Sequence, residues 1–392
     1  MMKKKTSCNL KYSVGIDISQ KTFHVCISVI DSEQRVTIKG SREFENRALE
    51  FEHFLEWVKR HQKEDLPLSY VMEATGVYHE NLCHFLYKVG VSVSVVVPTM
   101  SKRYAQSLGT DNKTDKVDAK VLSRMGAERA LDLWQPFSPS ILSLRGLCRH
   151  HESLQQTKSA MNNQLHALSS GAYGYELQKG NLLALLELIE KQLEEVNKAI
   201  EKSVKEDEIL NNKWEKCKGI HGIGLLSFAT IIAETNGFSL FYNERQLVSY
   251  AGYDIINNQS GNHTGKTKIS KKGNKHLRRI LYMPALSAVK AEDSIFAHLY
   301  HRVFERTKIK MKGYVAVQRK LLTTIFHLCK KDVAYDSLYY QKTSGNPESI
   351  ALFPYPTPDE NRNKKAPEYS GAELDKLPYK PVIESPLSVT QN

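Results

Sequence analysis

Four carboxylates in the first third of the chain have types and spacings suited to phosphoryl chemistry. Asp17 lies near the end of the apolar run Val14-Gly15-Ile16-Asp17-Ile18, and Glu73 ends Tyr70-Val71-Met72 before Ala74-Thr75-Gly76. A carboxylate inside an apolar strand costs free energy unless a cation or hydrogen bonds compensate it. Asp115 and Asp118 stand three apart in Lys113-Thr114-Asp115-Lys116-Val117-Asp118, which puts both on one face of a helix start. Acids from two strand ends and one helix can converge on hard divalent cations, which take oxygen ligands. Two such ions about 4 Å apart clamp the attacking and leaving oxygens of a phosphodiester. Each acid also has a plainer reading: a lone Asp ending a strand commonly forms a turn, and Asp115 with Asp118 would favour the positive end of a helix. Together, in their strand order, the four predict a site for Mg²⁺, or for Mn²⁺ in its place.

A second group lies far downstream. From Asn257 to Arg279 there is no acidic residue, whereas five lysines and two arginines occur. Lys266, Lys268, Lys271, Lys272, Arg278 and Arg279 are the candidate phosphate contacts, and Gly261, Gly265 and Gly273 allow close backbone approach to a ligand. This composition suits a phosphodiester backbone and suits a membrane poorly, because few large apolar residues accompany the charge. Ser260 is placed to attack or hydrogen-bond a phosphate, although spacing alone makes it no more than a turn former. Upstream, Gly219-Ile220-His221-Gly222-Ile223-Gly224 precedes an apolar helical run and resembles a helix-hairpin-helix element. There Gly222 and Gly224 would offer backbone N–H groups to DNA; a tight structural turn explains them equally well.

The elements that must position these residues follow from periodicity. Tyr12–Ser19, Phe23–Ile30 and Arg35–Lys39 read as an antiparallel meander, Arg47–Gln62 as a helix, and Leu68–Met72 as a strand. Tyr78–Val89 reads as a helix, Val91–Val97 as a buried parallel-type strand, and Lys116–Arg129 as a closing helix. The order β-β-β-α-β-α-β-α is that of a ribonuclease H-like domain, over residues 12–135. Residues 139–210 predict a helical, coiled-coil-like region. Leu182, Leu185, Leu186, Ile189, Leu193, Val196 and Ile200 form its stripe, and Gly171–Gly174 with Gly180 break it from an earlier helix over Ser140–Leu168. The stripe serves either packing within one subunit or an oligomerisation arm. Residues 217–340 predict a mostly α-helical domain, and 341–392, with 8 of the 13 prolines, a disordered tail.

Composition bounds the function. The 392 residues carry a net charge of +12, which favours polyanionic partners, nucleic acid before membrane. No apolar run approaches the ~18 residues of a membrane span, and no signal-peptide core follows Lys3–Lys5, so a cytoplasmic, nucleoid-associated protein is expected. The six cysteines are far apart with no C-x-x-C pair, which argues against a structural zinc site or a disulfide framework.

Asp17, Glu73 and the Asp115-x-x-Asp118 pair, followed by Gly-Ile-Gly, Gln-Ser-Gly and Gly-Asn-x-x-Leu-Arg, resemble the DEDD insertion-sequence transposases. These are the bridge-RNA-guided recombinases, with the pilin-gene invertases as relatives. Gln246–Gly252 and Val317–Leu321 also fit, and the resemblance spans Tyr12 to Tyr340 without departure at the four acids or the serine. It implies a RuvC-like first domain and a transposase domain whose Ser260 becomes covalently joined to DNA, assisted by metal-bound carboxylates of another subunit. It further implies donor and target DNA as substrates, a structured guide RNA, and a homo-oligomer, dimer or tetramer. The rival expectations are a RuvC-like, metal-dependent, structure-specific nuclease using water, a site-specific DNA invertase, and a non-enzymatic nucleic-acid-binding protein with degenerate acids.

Overall fold

The structure is a computed structural model that describes residues 7–74, 76–109, 114–260, 263–265, 267–291 and 294–336. β1 (Asn9–Ile18), β2 (Thr22–Asp31) and β3 (Val36–Glu45) form the expected antiparallel meander. Asp31 Oδ1 closes the second turn by accepting from the backbone N–H groups of Glu33 and Arg35, each at 2.9 Å. β4 (Leu68–Glu73) runs parallel to β1, and β5 (Val93–Val96) runs parallel to β4. The sheet order β3-β2-β1-β4-β5 makes β1 central and is the ribonuclease H-like, RuvC-like arrangement.

Alternation divides the two faces. Val14, Ile16, Phe23 and Phe44 join Phe51, Phe54 and Trp57 of α1 (Ala48–His61) and Leu82 and Leu86 of α2 (Glu80–Lys88) in one core. On the opposite face, Val71 and Val96 meet Tyr104 of α3 (Pro98–Ser107) and Val121, Leu122 and Met125 of α4 (Asp115–Glu128). α3 has no counterpart in the sequence reading. Its buried residues are only Ser101 and Tyr104, too few to print an apolar stripe.

α4 lies unusually close to the sheet. A Cβ on Gly15 would stand 2.1 Å from both Ala119 O and Ser123 N, which are backbone atoms that cannot swing aside. Gly15→Ala should therefore cost about 3 kcal/mol by urea denaturation. Gly146→Ala, at an exposed helical position with nothing within 4 Å of the added Cβ, should instead stabilise by about 1 kcal/mol or less. Equal effects of the two substitutions would show that α4 does not seat on β1 this tightly.

Beyond the sheet the chain is mostly helical. α5 (Pro139–Ser169) and α6 (Glu176–Glu206) form a long hairpin, followed by α7 (Glu208–Cys217), the buried α8 (Leu225–Glu234), a 3-10 turn at Asn236–Phe238 and α9 (Glu244–Ala251). Short strands β6 (Ile255–Ile256), β7 (Gln259–Ser260), β8 (His263–Thr264) and β9 (Lys268–Ile269) precede α10 (Lys275–Ile280), α11 (Tyr282–Lys290), α12 (Ile295–Thr307) and α13 (Lys310–Lys331). Two expectations for the hairpin are corrected. Gly180 lies inside α6 instead of breaking it, because one helical glycine costs only about 1 kcal/mol, which packing of a long helix offsets. Leu185 is exposed, and the seam runs through Leu186, Ile189, Leu193, Val196 and Ile200, which pack within the chain. The described cysteines are unbridged. The proline-rich tail expected at 341–392 lies outside the described residues.

Candidate active site and nucleic-acid interface

The close seating of α4 is what positions the acids. Along α4, Ala119, Leu122 and Ser123 meet Gly15, and Gly126 then meets Ser13 and Val71. Ser123 Oγ lies 3.0 Å from Ser13 O and 2.6 Å from Ser28 Oγ. The helix therefore runs against the direction of β1, and its first turn reaches the strand end that carries Asp17. Asp17 shares the α4-facing side of β1 with Ser13 and Gly15 by alternation. Glu73 follows Val71 on the same side of β4, one residue past the register pair Ile16 with Met72. Thr114 caps the helix, its hydroxyl accepting from Val117 N–H at 3.3 Å, so Asp115 and Asp118 occupy the first turn. Asp118 is half-buried against the sheet and Asp115 is exposed.

Two neighbours of this corner were not foreseen. Ser101 Oγ, on the unforeseen α3, donates to Glu73 Oε2 at 2.5 Å and orients that carboxylate. His24 is the cross-strand partner of Asp17, and its Nδ1 lies 3.8 Å from Glu43 Oε1 of β3. The alternation of β2 could have flagged His24; nothing in the sequence flags Ser101. The donor chemistry, all carboxylate oxygen on one side of one sheet end, fits a hard divalent cation. Among the described residues no group of three or more His, Cys, Asp or Glu side chains stands together as a ready ligand set. Asp17 and Glu73 share the α4-facing side of the sheet end, with Asp115 and Asp118 in the first turn of α4.

Ser260 lies on a narrow ribbon. β6 pairs with β9 and β7 with β8, and Ser260 is exposed opposite His263. Its Oγ has no hydrogen-bond partner among the described residues. Lys268, Lys271 and Lys272 are exposed and make no ion pair among the described residues, whereas Lys266 lies outside them. The ribbon's base is welded to α9: Lys271 N–H donates to Gly252 O at 3.0 Å and Asn274 N–H to Tyr250 O at 2.7 Å.

Other candidate contacts are turned to internal use. A Cβ on Gly273 would stand 2.4 Å from Tyr250 O, so this glycine admits the protein's own backbone instead of a ligand's. Arg278 is half-buried and Nη1 donates to Ala251 O at 2.8 Å and to Asn274 O at 3.2 Å. Arg279 Nη1 donates to Glu152 Oε1 of α5 at 3.0 Å, with about half its side chain still exposed. Gly222 takes a φ of +88°, and a Cβ there would meet Pro284 O of α11 at 2.6 Å, which is the tight-turn use. Gly224 caps α8 and is open, with nothing within 4 Å of an added Cβ.

Residues 14–173 match a family model described as a transposase of the DEDD, IS110 type, and residues 215–301 match one described as transposase IS116/IS110/IS902 family. The two segments carry all four acids and Ser260, in the same order as the fold presents them. The chain belongs to the IS110/IS1111 family of transposases. Over 334 residues this transposase is 28% identical to the pilin gene-inverting protein of Moraxella bovis, covering 84% of this chain and 99% of the relative. It is 23% identical over 235 residues to the transposase for insertion sequence element IS1111A of Coxiella burnetii, covering 54% of this chain and 63% of the relative. Thermus thermophilus RuvC aligns in structure with 31% of this chain and 99% of its own, at 11% identity and a TM-score of 0.26. The transposase acts on DNA. Among its described residues no helix is long and apolar enough to cross a membrane.

Proposed function

We propose that this transposase cuts and rejoins DNA through Ser260, with Asp17, Glu73, Asp115 and Asp118 holding Mg²⁺, or Mn²⁺, beside the reacting phosphate. The observation that carries the reading is the placement of an exposed serine on a rigidly based, lysine-flanked ribbon in a chain that also builds an acidic corner. Ser260 Oγ attacks phosphorus, the bond from phosphorus to one sugar oxygen breaks, and the released sugar hydroxyl takes up the proton. The phosphoserine ester retains the energy of the broken linkage, so rejoining needs no external source. Bound metal would supply charge stabilisation to the phosphate oxygens. The chain's own part is to expose the serine, flank it with cationic side chains and present the carboxylates. On this reading residues 12–135 carry the acids, 139–210 the helical hairpin and 217–340 the serine. Base recognition falls to a structured RNA, and the site is shared across a dimer or tetramer in the cytoplasm, at the nucleoid. The lysines suit backbones of either nucleic acid, since phosphate contacts position without reading sequence.

A second reading has support of its own. The alignment with the pilin gene-inverting protein covers nearly all of that relative, which favours site-specific DNA inversion as the outcome. Metal-dependent cutting by water, without a serine ester, is the alternative chemistry. Denaturing gels of end-labelled DNA separate them: a protein–DNA band that survives denaturation supports the serine route, and cut DNA without that band supports water attack.

Binding should weaken steeply with salt, because each neutralised phosphate releases condensed counterions. Replacing Lys268, Lys271 and Lys272 together by alanine should lower the slope of log K against log[salt] by roughly 3, about one per lysine. An unchanged slope would place the phosphate track elsewhere on the molecule.

A further inference from the structure

Among the described residues Glu234 is a carboxylate with no exposure at all, at the end of an otherwise uncharged helix and outside both sites above. Burial alone would raise its pKa. Hydrogen bonds from Arg149 and Asn274 and the charges of Arg145 and Arg149 outweigh burial, and the carboxyl is held below its ordinary range. Arg149 grips it with two bonds, Nε to Oε1 at 2.7 Å and Nη2 to Oε2 at 3.0 Å, and Arg145 Nε stands 3.5 Å from Oε2. Asn274 Nδ2 donates to the same Oε2 at 2.7 Å, and Tyr250 OH donates to the Glu234 backbone carbonyl at 3.0 Å.

These partners belong to two different parts of the machinery. Asn274 and Tyr250 are the residues that close the base of the Ser260 ribbon. Arg145 and Arg149 are on α5, which leads out of the acidic-site sheet. The Arg145 guanidinium stacks 4.9 Å from the ring centroid of Phe137, in the connecting segment. Three residues earlier, Trp134 N–H donates to Val93 O of β5 at 2.7 Å. A second clamp on the same side of α5 repeats the arrangement, Glu152 holding both His276 and Arg279 of α10. An ion pair to a buried carboxylate contributes little net stability compared with apolar packing, but its bidentate bonds add geometric specificity.

We propose that Glu234 is a positioning residue for strand transfer, fixing the base of the Ser260 ribbon through Asn274 against the Arg145–Arg149 face of α5. The inference rests on the reading of Ser260 as nucleophile for its catalytic consequence, but not for the anchoring itself. It extends the site from the residues that touch DNA to the buried charge that aims one of them. Because misplacement of a reacting group by about 1 Å can cost about 100-fold, a loosened base should slow chemistry without weakening binding.

The test compares full-length protein with Glu234→Gln and Asn274→Ser. Serine keeps an N-cap for α10, whose Asn274 Oδ1 accepts from His276 and Leu277 N–H, but is too short to reach Glu234. In both variants hydrogen–deuterium exchange at the backbone amides of positions 271 and 274 should rise at least ~10-fold while β1 amides hold their rates. The maximal cutting rate at saturating duplex DNA should fall ~10- to 100-fold with the half-saturating concentration within about threefold. Unchanged exchange at the ribbon base, or normal cutting from a loosened base, would overturn the proposal. If Glu234→Gln fails to fold, Asn274→Ser decides alone. Ser260→Ala is run alongside: normal cutting by it removes the serine mechanism, and the exchange result then judges the anchoring by itself.

Discussion

Asp17→Asn should reduce DNA cutting by at least ~10³-fold, equivalent to about 4 kcal/mol of transition-state stabilisation, while leaving the fold and DNA binding in place. The side chain is half-exposed at the end of the central strand, and asparagine has nearly the same shape. The substitution removes a negative charge from a corner that already holds Glu73 and Asp118, so the change in folding stability should stay within about 1 kcal/mol. On the proposed reading, what it removes is an anionic oxygen donor to a divalent ion, which an amide replaces poorly. Cutting of labelled DNA at saturating Mg²⁺, with thermal melts of both proteins, checks this. Cutting at the normal rate would show that the acidic corner is structural. A protein that no longer melts cooperatively would place Asp17 among the folding determinants instead.

Ser260→Ala is expected to abolish strand joining and the denaturation-resistant protein–DNA band, with a loss of at least ~10³-fold, because no other group supplies the leaving ester. Binding should persist. Ser260 is exposed, and the lysines around it are untouched. A serine hydroxyl is a weak nucleophile at neutral pH, so the proton must leave and the phosphate charge must be balanced. The acid-free stretch offers cations for the second task and no carboxylate for the first, which the acidic corner of the same or another subunit would provide. Ser260→Cys should keep a fraction of the activity, since a thiol also attacks phosphorus. Mixing inactive Asp17→Asn with inactive Ser260→Ala should restore activity if each site is completed across subunits. Normal joining by Ser260→Ala would leave water attack as the chemistry.

Much of the first domain was legible in the chain because its strands are long and alternate. Val14, Ile16 and Ile18 face one core, Ser13, Gly15 and Asp17 face α4, and a period of two writes this directly into the sequence. The four acids could also be named from the sequence, since each interrupts an apolar run or opens a helix. Their placement at one end of the sheet could not. It depends on α4 crossing β1 in one direction at backbone contact distance, a relation between residues about 100 apart in the chain that Gly15 and Gly126 permit but do not announce. α3, and with it Ser101 on Glu73, left no apolar stripe to detect. In the serine region composition announced the charge, and the fold decided its use. Arg278, Arg279 and Gly273 share one basic, glycine-rich stretch with Lys268, Lys271 and Lys272, yet the first three are engaged by their own chain and the lysines remain exposed. Glu234 shows the limit most clearly. Local sequence determines that a helix ends there, whereas its charge becomes a hub only because Arg149 and Asn274, 85 and 40 residues away, are folded against it. Periodicity is a short-range property, but desolvation and pairing of a buried charge are decided by whatever tertiary contacts surround it.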